Sequence, residues 1–136
     1  MIYLDSCALM KLVVAEPETA ALRTFLSARA AEGHVTSALS QTEVARALVR
    51  AAADPEVGDA AEDMLDRVLR IRITDPILRA AGMFSQRRLR SLDAIHLASA
   101  EHLEQALTAF VTYDKRLAEA AAERDLPVES PGAQRR

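Results

Sequence analysis

Four carboxylate side chains lie where a short apolar segment ends or a helical pattern begins: Asp5, Glu43, Asp93 and Asp114. Strand ends and helix starts of an α/β protein collect at one edge of the sheet, so we expect these acids to lie close together. Carboxylates gathered there repel one another unless a cation neutralises them. Oxygen ligands suit Mg²⁺ or Mn²⁺, and such ions activate water for attack on phosphate. The pattern therefore indicates a site of this kind.

Each acid also has a simpler structural explanation. Asp5 and Asp114 follow apolar segments, where either residue can cap the next helix. Glu43 completes a capping-box pattern in the segment SQTE, or it pairs with Arg46 along a helix. Asp93 falls in a first helical turn capped by a serine, where the helix dipole favours any acid. Independent caps would scatter between both ends of a sheet, whereas these acids are all predicted at one edge.

Length and composition fit one aliphatic, helix-rich domain. The chain has 136 residues, of which 50% are hydrophobic and only 4% aromatic, with no Trp. Abundant alanine favours helices, and this length allows one domain with its own core. The net charge of −3 argues against a protein that coats polyanions in general. It does not exclude a nuclease, because a metal site concentrates acids at one place.

The cysteine content and hydropathy indicate a cytoplasmic protein without membrane contact. Cys7 is the only cysteine, so no intramolecular disulfide can form and a reducing compartment is expected. No apolar run approaches the ~20 residues that span a bilayer, and the first residues lack the features of a signal peptide. The sequence near Cys7 contains no histidine partner, so we expect a small helix-start residue rather than a thiol nucleophile.

Apolar periodicity predicts strands that alternate with helices. Alternating or short apolar runs predict strands at 2–4, 34–36, 71–74 and 109–112 and an edge strand at 127–129. Helical spacing predicts helices at 8–14, 18–31, 37–52 or 40–52, 59–69, 75–84, 91–105 and 114–123. We therefore predict an α/β fold in which a short, mostly parallel sheet of four or five strands is flanked by about seven helices. This single domain covers 1–129, and a flexible tail follows at 130–136.

Four stretches, in order, resemble the PIN-domain nucleases and, more narrowly, the VapC-type toxins of bacterial toxin–antitoxin pairs. The stretches are IYLDSCAL, TS followed by TEVARA, LRSLDAIHLA, and VTYDKRL. They span nearly the whole chain. LDAIHLA and the T-x-D pattern after a strand are fairly specific together, whereas the D-S start alone is weak.

The resemblance implies a PIN-like fold and a Mg²⁺-dependent endoribonuclease, with Mn²⁺ as an alternative ion. It maps the catalytic, metal-binding acids onto the four carboxylates above, with Ser6 and Thr112 as hydroxyl partners that orient them. Some PIN proteins carry a further acid two residues after the last one, where this chain has Arg116. We therefore expect one firmly held ion and a second that binds only with RNA.

The resemblance also implies partners. A cognate antitoxin would cover the acidic site, and operator DNA would be bound only through that antitoxin. A homodimer is the expected assembly.

The expected chemistry is in-line attack of water on phosphorus. A metal ion lowers the pKa of the water and neutralises charge on the phosphate oxygens. Asp93 or Asp5 would orient the water or accept its proton. The products would carry a 5′-phosphate and a 3′-hydroxyl, and no histidine pair is required.

Basic residues just before Asp93 suggest how RNA is held. Arg87, Arg88 and Arg90 form either a solvated loop or a phosphate-binding patch at the rim of the site. Lys11 is a weaker candidate for the same task.

His96 follows Asp93 by one helical turn, a spacing that can share a metal. It also lies on a helix face with Leu92, Ala100 and Leu103, so we predict a helix-packing histidine.

Two other functions compete with the ribonuclease. A haloacid-dehalogenase-like phosphatase also begins with an apolar strand and a nucleophilic Asp, but it needs a second Asp where this chain has Cys7. A PIN-like module that binds RNA or a partner without cutting is the other alternative. Loss of a site acid would have indicated such a module, and all four acids are present.

Overall fold

Five short strands run parallel in one sheet within residues 1–134, the part of the chain that the computed structural model describes. The strands are β1 (Ile2–Leu4), β2 (His34–Ser37), β3 (Leu69–Ile71), β4 (Ala109–Val111) and β5 (Val128–Glu129). Their order across the sheet is β3-β2-β1-β4-β5. Every residue of β1 and β4 is buried, as expected for central parallel strands covered on both faces. The predicted mostly parallel sheet is confirmed.

Helices cover both faces of the sheet. The described residues contain seven α-helices: α1 (Ser6–Val13), α2 (Thr19–Ala28), α3 (Leu39–Arg50), α4 (Pro55–Asp66), α5 (Asp75–Gly82), α6 (Ser91–Glu101) and α7 (Lys115–Glu123). Successive strand residues point to opposite faces, so Ile2 and Leu4 pack with α1 to α4, whereas Tyr3 packs with α6 and α7. The core is therefore two aliphatic layers separated by the sheet.

The strand order places a topological switch point beside β1. From β1 the chain fills one side of the sheet with β2 and β3, then returns to the other side with β4 and β5. In open α/β sheets, ligands bind at the carboxyl ends of the strands where the order reverses. Residues that directly follow β1 and β4 flank that crevice. We call this side of the sheet the carboxyl edge.

Most elements begin or end within a few residues of their predicted bounds; the helix predicted at 59–69 is α4 at Pro55–Asp66, and two further differences have a clear cause. The strand predicted at 71–74 is β3 at Leu69–Ile71, because pairing with β2 sets its register, with Leu69 opposite Val35. The following residues lead into α5, whose N-cap is Thr74. The helix predicted at 91–105 ends at Glu101, since Glu104 has a positive φ of 50° and begins a short 3₁₀ turn.

The predicted capping box before Glu43 is absent from the structure. Helix α3 starts at Leu39 with Ala38 as its N-cap, and no side chain caps it. Ser40 instead shares a hydrogen bond of 2.7 Å between its hydroxyl and that of Thr36. Glu43 therefore lies beyond the first turn, where its side chain has no backbone amide to cap. At α6 the N-cap is Arg90, so the prediction of a Ser91 cap is also wrong.

The end of the described chain forms hydrogen bonds with the residues that follow β4. The Ser130 hydroxyl donates to the carbonyl of Thr112 at 2.6 Å, and the Tyr113 hydroxyl donates to the carbonyl of Pro131 at 2.8 Å. Of the predicted tail at 130–136, residues 135–136 lie outside the described residues. None of the helices in residues 1–134 has the length and apolar character needed to cross a membrane.

Candidate active site

Asp5 leaves the central strand at the carboxyl edge and caps α1. The residue is 3% exposed. Oδ1 accepts a hydrogen bond of 2.8 Å from the backbone amide of Ala8, and Oδ2 accepts one of 2.5 Å from the Thr112 hydroxyl. The capping explanation of Asp5 is therefore correct, and it places the acid in the crevice at the same time. Two donors on two different elements fix its orientation.

Thr112 joins two of the acids across the switch point. It is buried directly after β4, and its hydroxyl donates to Asp5 while accepting a hydrogen bond of 3.1 Å from the backbone amide of Asp114. Asp114 caps α7, with Oδ1 accepting from the amide of Leu117 at 3.0 Å. At the sequence T-x-D the chain thus turns from strand to helix, and one hydroxyl contacts the carboxylate of Asp5 and the backbone amide of Asp114.

Glu43 and Asp93 reach the same region from two helices. Glu43 is held by His96, with 2.6 Å between its Oε1 and the histidine Nε2. Asp93 lies in the first turn of α6, one turn before His96, and is partly buried. Within residues 1–134, Glu43 forms no ion pair with Arg46. Ser6 opens α1 and lines a cleft beside Glu43.

The electrostatics show that the acids are neighbours. Burial raises the pKa of Asp5 to about 6, with the charge of Asp93 acting in the same direction and the Thr112 hydrogen bond opposing it. The pKa of Asp93 is also raised, first by burial and then by the charges of Asp114 and Glu43. The charge of Asp93 therefore interacts with those of Asp5, Glu43 and Asp114 at the carboxyl edge. A cation placed among them would relieve this repulsion.

The donor chemistry of the site fits a hard divalent cation, although the side chains do not converge on one point. Within residues 1–134, no three His, Cys, Asp or Glu side chains are grouped closely enough to hold an ion as they stand. Asp5 is engaged with Ala8 and Thr112, and Glu43 with His96. A set of carboxylate oxygens is what Mg²⁺ and Mn²⁺ prefer. The ligand assignment stays a prediction.

The predicted RNA-binding residues fall into two groups. Arg87, Arg88 and Arg90 are exposed between α5 and α6, and Arg90 lies close enough to Asp93 for its charge to lower the pKa of that acid.

Lys11 is different, because it is buried. Its Nζ lies 2.8 Å from an oxygen of Glu16 and 3.0 Å from one of Glu18, and 4.7 Å from the Tyr113 ring centroid. These contacts indicate that Lys11 stabilises the fold, so the three arginines are the better candidates for holding phosphate.

A cleft of about 380 Å³ beside Glu43 contains basic residues that sequence reasoning missed. It is lined by α1, α3 and the start of α6, and Arg46 and Arg50 of α3 flank it. Both arginines are exposed, and neither forms an ion pair within residues 1–134. Their spacing from Glu43, by three and seven residues, indicates one helix face and was the available signal.

Sequence reasoning also missed one role of His96. It packs in the core as predicted, at 1% exposure, but it also binds Glu43. Cys7 is an exposed residue beside the site, and desolvation of its thiol, with the nearby charge of Asp5, raises the thiol pKa to about 12. A protonated thiol is a poor nucleophile, in agreement with the expectation from sequence.

The family model and the sequence relatives that match this chain agree on one family. The family model of the PIN domain matches residues 2–123. Ribonuclease VapC47 of Mycobacterium tuberculosis (strain CDC 1551 / Oshkosh) is 42% identical over 137 residues, covering 99% of this chain and 100% of the relative. Ribonuclease VapC35 of M. tuberculosis (strain ATCC 25618 / H37Rv) is 43% identical with the same coverage.

Solved structures share the fold. One is the crystal structure of VapBC2 from Rickettsia felis bound to a DNA fragment from its promoter. It has a TM-score of 0.75 and 14% sequence identity to this chain, and the match covers 96% of this chain and 99% of that chain. PAE2754 from Pyrobaculum aerophilum has a TM-score of 0.64 and 21% sequence identity, and the match covers 88% of this chain and 78% of that chain.

Proposed function

Because the chain belongs to the PIN-domain family and, within it, to the VapC ribonucleases, we propose that it is a Mg²⁺-dependent endoribonuclease toxin that cleaves RNA with metal-activated water. Mn²⁺ is the alternative ion. The observation that supports the proposal is the electrostatic coupling of Asp93 to Asp5, Glu43 and Asp114 at the carboxyl edge. Such coupling disfavours the ionised carboxylates, and a bound cation would relieve it.

The four acids would hold the ion, and each has a distinct setting. When bound, a divalent ion supplies a lowered pKa for water and charge stabilisation at the phosphate. Asp5 is held rigidly by Thr112 and the Ala8 amide, which suits a ligand that must not move. Asp93 is more exposed and has a raised pKa, which suits the group that orients water and accepts its proton. Arg116 supplies no fifth carboxylate, in keeping with one firmly held ion.

The RNA backbone would cross the acids between two groups of arginines. Arg87, Arg88 and Arg90 lie on the loop that enters α6, and Arg46 and Arg50 flank the cleft on α3. Phosphate contacts of this kind position a strand without reading its sequence.

The double variant Arg87→Ala/Arg88→Ala should weaken RNA binding and flatten its salt dependence. The slope of log K against log salt is negative, and each lost phosphate contact on a single strand reduces its magnitude by about 0.7. Two lost contacts should therefore reduce it by about 1.4. The measurement is fluorescence anisotropy with labelled RNA in EDTA, which prevents cleavage.

Arg67→Ala is the control for this variant. Arg67 is an exposed arginine that precedes β3, at the edge of the sheet opposite the acids. An unchanged slope in the double variant would mean that the loop is only solvated surface.

A cognate antitoxin protein is the second proposed partner. VapBC2, which shares the fold, was solved bound to a DNA fragment from their promoter. From the family resemblance we propose that the antitoxin covers the acidic edge, that operator DNA is bound only through the antitoxin, and that the toxin is a homodimer in the cytoplasm. Light scattering would give the mass of the toxin alone. Antitoxin titrated into the RNA-cleavage reaction should stop cleavage. Cleavage that continues in a stable complex of the two proteins would contradict this arrangement.

Incubation of purified, antitoxin-free protein with total cellular RNA tests the ribonuclease activity. Discrete fragments are expected with Mg²⁺ or Mn²⁺ and none with EDTA. Fragments that form in EDTA would contradict metal dependence. A folded protein that binds RNA without cutting it would favour the alternative function, a non-cleaving PIN-like binding module. The lack of three converging metal ligands in residues 1–134 is the observation that keeps this alternative in view.

A further inference from the structure

A chain of buried hydrogen bonds runs from the central strand to Glu43. The Tyr3 hydroxyl lies 2.7 Å from Nδ1 of His96, and Nε2 of His96 lies 2.6 Å from Oε1 of Glu43. Tyr3 belongs to β1, His96 to α6 and Glu43 to α3. Tyr3 and His96 are fully buried, whereas the Glu43 side chain remains 22% exposed. Three elements thus meet at one carboxylate that faces the site.

One arrangement of protons that satisfies these contacts keeps the imidazole neutral. A carboxylate without a proton only accepts hydrogen bonds, so in this arrangement Nε2 of His96 carries the hydrogen that it donates to Glu43. In a neutral imidazole Nδ1 then accepts, and the Tyr3 hydroxyl donates to it. Burial raises the pKa of Tyr3 well above its usual value, so the phenol keeps its proton. The Tyr3 hydroxyl, both His96 nitrogens and Oε1 of Glu43 therefore each have a partner.

Aromatic packing holds the inner end of this chain in place. The Tyr3 ring stacks on Phe110 with centroids 5.4 Å apart and an interplanar angle of 12°. The His96 ring meets Tyr3 edge-on, with centroids 5.9 Å apart at 79°. Neither ring can move without disturbing the buried layer between the sheet and α6. The orientation of the imidazole is therefore fixed by the core.

A second buried contact ties the preceding turn of α3 to the sheet. The hydroxyls of Thr36 on β2 and Ser40 on α3 lie 2.7 Å apart, and both side chains are fully buried. Ser40 precedes Glu43 by about one turn of helix. Helix α3 is thus anchored by polar contacts on both turns, and a shift of Glu43 would break one or both of them.

We propose that Tyr3 and His96 are positioning residues that hold the Glu43 carboxylate in the orientation needed for metal binding. The inference rests on the proposed metal-dependent function. One oxygen of Glu43 is bound by His96, which leaves Oε2 without a hydrogen bond to residues 1–134. A glutamate without such a partner would sample several rotamers and would lose that freedom on binding the ion. Outer partners of metal ligands act in this way in many sites.

Two substitutions at His96 separate positioning from packing. In His96→Gln the terminal amide reaches the position of Nε2 and can donate to Glu43. In His96→Asn the shorter amide reaches only the position of Nδ1, so it can keep the Tyr3 contact but loses Glu43. Tyr3→Phe removes the hydroxyl and keeps the stacking on Phe110. Mn²⁺ affinity is measured by isothermal titration calorimetry, and melting temperature reports the fold of each variant.

Mn²⁺ affinity is expected to follow the contact with Glu43 and not the stability of the fold. His96→Asn should bind Mn²⁺ about 10–100-fold more weakly than the wild type, the usual effect of losing an outer partner. His96→Gln should recover most of this loss, and Tyr3→Phe should fall between them. Ser99→Ala is the matched control, because Ser99 is buried on the same helix and donates to the Ile95 carbonyl at 2.7 Å. Its Mn²⁺ affinity should not change.

Equal Mn²⁺ affinities for His96→Asn and His96→Gln would overturn the inference and leave His96 as a packing residue. If His96→Asn does not fold, wild-type affinity in Tyr3→Phe would overturn it equally well. A wild-type protein that binds no Mn²⁺ and cuts no RNA would contradict the proposed function itself, and the inference with it. The wild-type titration therefore tells the two failures apart.

Discussion

Replacement of Asp93 by Asn is expected to abolish RNA cleavage while the protein stays folded. The substitution removes a charge from the centre of the acidic site and changes the side-chain volume little. Asp93 is the acid whose pKa is raised by both Asp114 and Glu43, so it lies among the other carboxylates. Loss of a group that orients or deprotonates water typically lowers the rate by about 10²–10⁴-fold, and loss of a metal ligand adds to this. Cleavage of total RNA in Mg²⁺ measures the effect.

The same variant should be no less stable than the wild type when metal is absent. A neutral asparagine at this position would not repel the neighbouring carboxylates, so the melting temperature in EDTA should stay the same or rise. Asp63→Asn is the control, because Asp63 is an exposed acid on α4 away from the site. It should leave cleavage at the wild-type rate. Full cleavage by purified Asp93→Asn protein would contradict the assignment of Asp93.

Metal removal should stop cleavage, and metal addition should stabilise the fold. A ligand that binds only the native state at 100 times its dissociation constant stabilises a protein by about 2.7 kcal/mol. For a domain of this size, that is a rise of several degrees in melting temperature. Relief of the repulsion among Asp5, Asp93 and their neighbours contributes to the affinity for the ion, and so to this rise.

Thermal unfolding with increasing Mg²⁺ or Mn²⁺ measures this stabilisation. The Asp93→Asn variant should show a smaller rise than the wild type at the same metal concentration. An identical rise in both proteins would place the ion elsewhere, and RNA cleavage that persists in EDTA would exclude a metal-dependent reaction.

The sequence predicted the placement of the acids because local chemistry decides it. Asp5 and Asp114 follow buried apolar strands, and both cap the helix that comes next. An acid that follows a parallel strand and caps the next helix necessarily lies at the carboxyl edge. The local sequence pattern was therefore enough to predict where these two acids lie. The local pattern also accounts for the position of Thr112, since T-x-D after a strand brings its hydroxyl to the Asp5 carboxylate and the Asp114 backbone amide.

Long-range contacts decided what the sequence could not predict. Glu43 pairs with His96, which is 53 residues away, and no local pattern selects it over Arg46. The capping-box motif pointed to the wrong role because the start of α3 is set by packing on β2, where Ser40 meets Thr36. The bounds of β3 were also set by its neighbour, because an exposed edge strand has little apolar alternation of its own.

The chemistry of the RNA ends tests metal-dependent hydrolysis by this site most directly. Total RNA is cleaved by the wild type in Mg²⁺, with Asp5→Ala protein as the control, and the ends are identified by ligation and sequencing. The account predicts 5′-phosphate and 3′-hydroxyl ends at discrete positions, absent with Asp5→Ala and with EDTA. Ends that carry a 2′,3′-cyclic phosphate, or fragments that the Asp5→Ala protein also produces, would contradict attack by water at this acidic site.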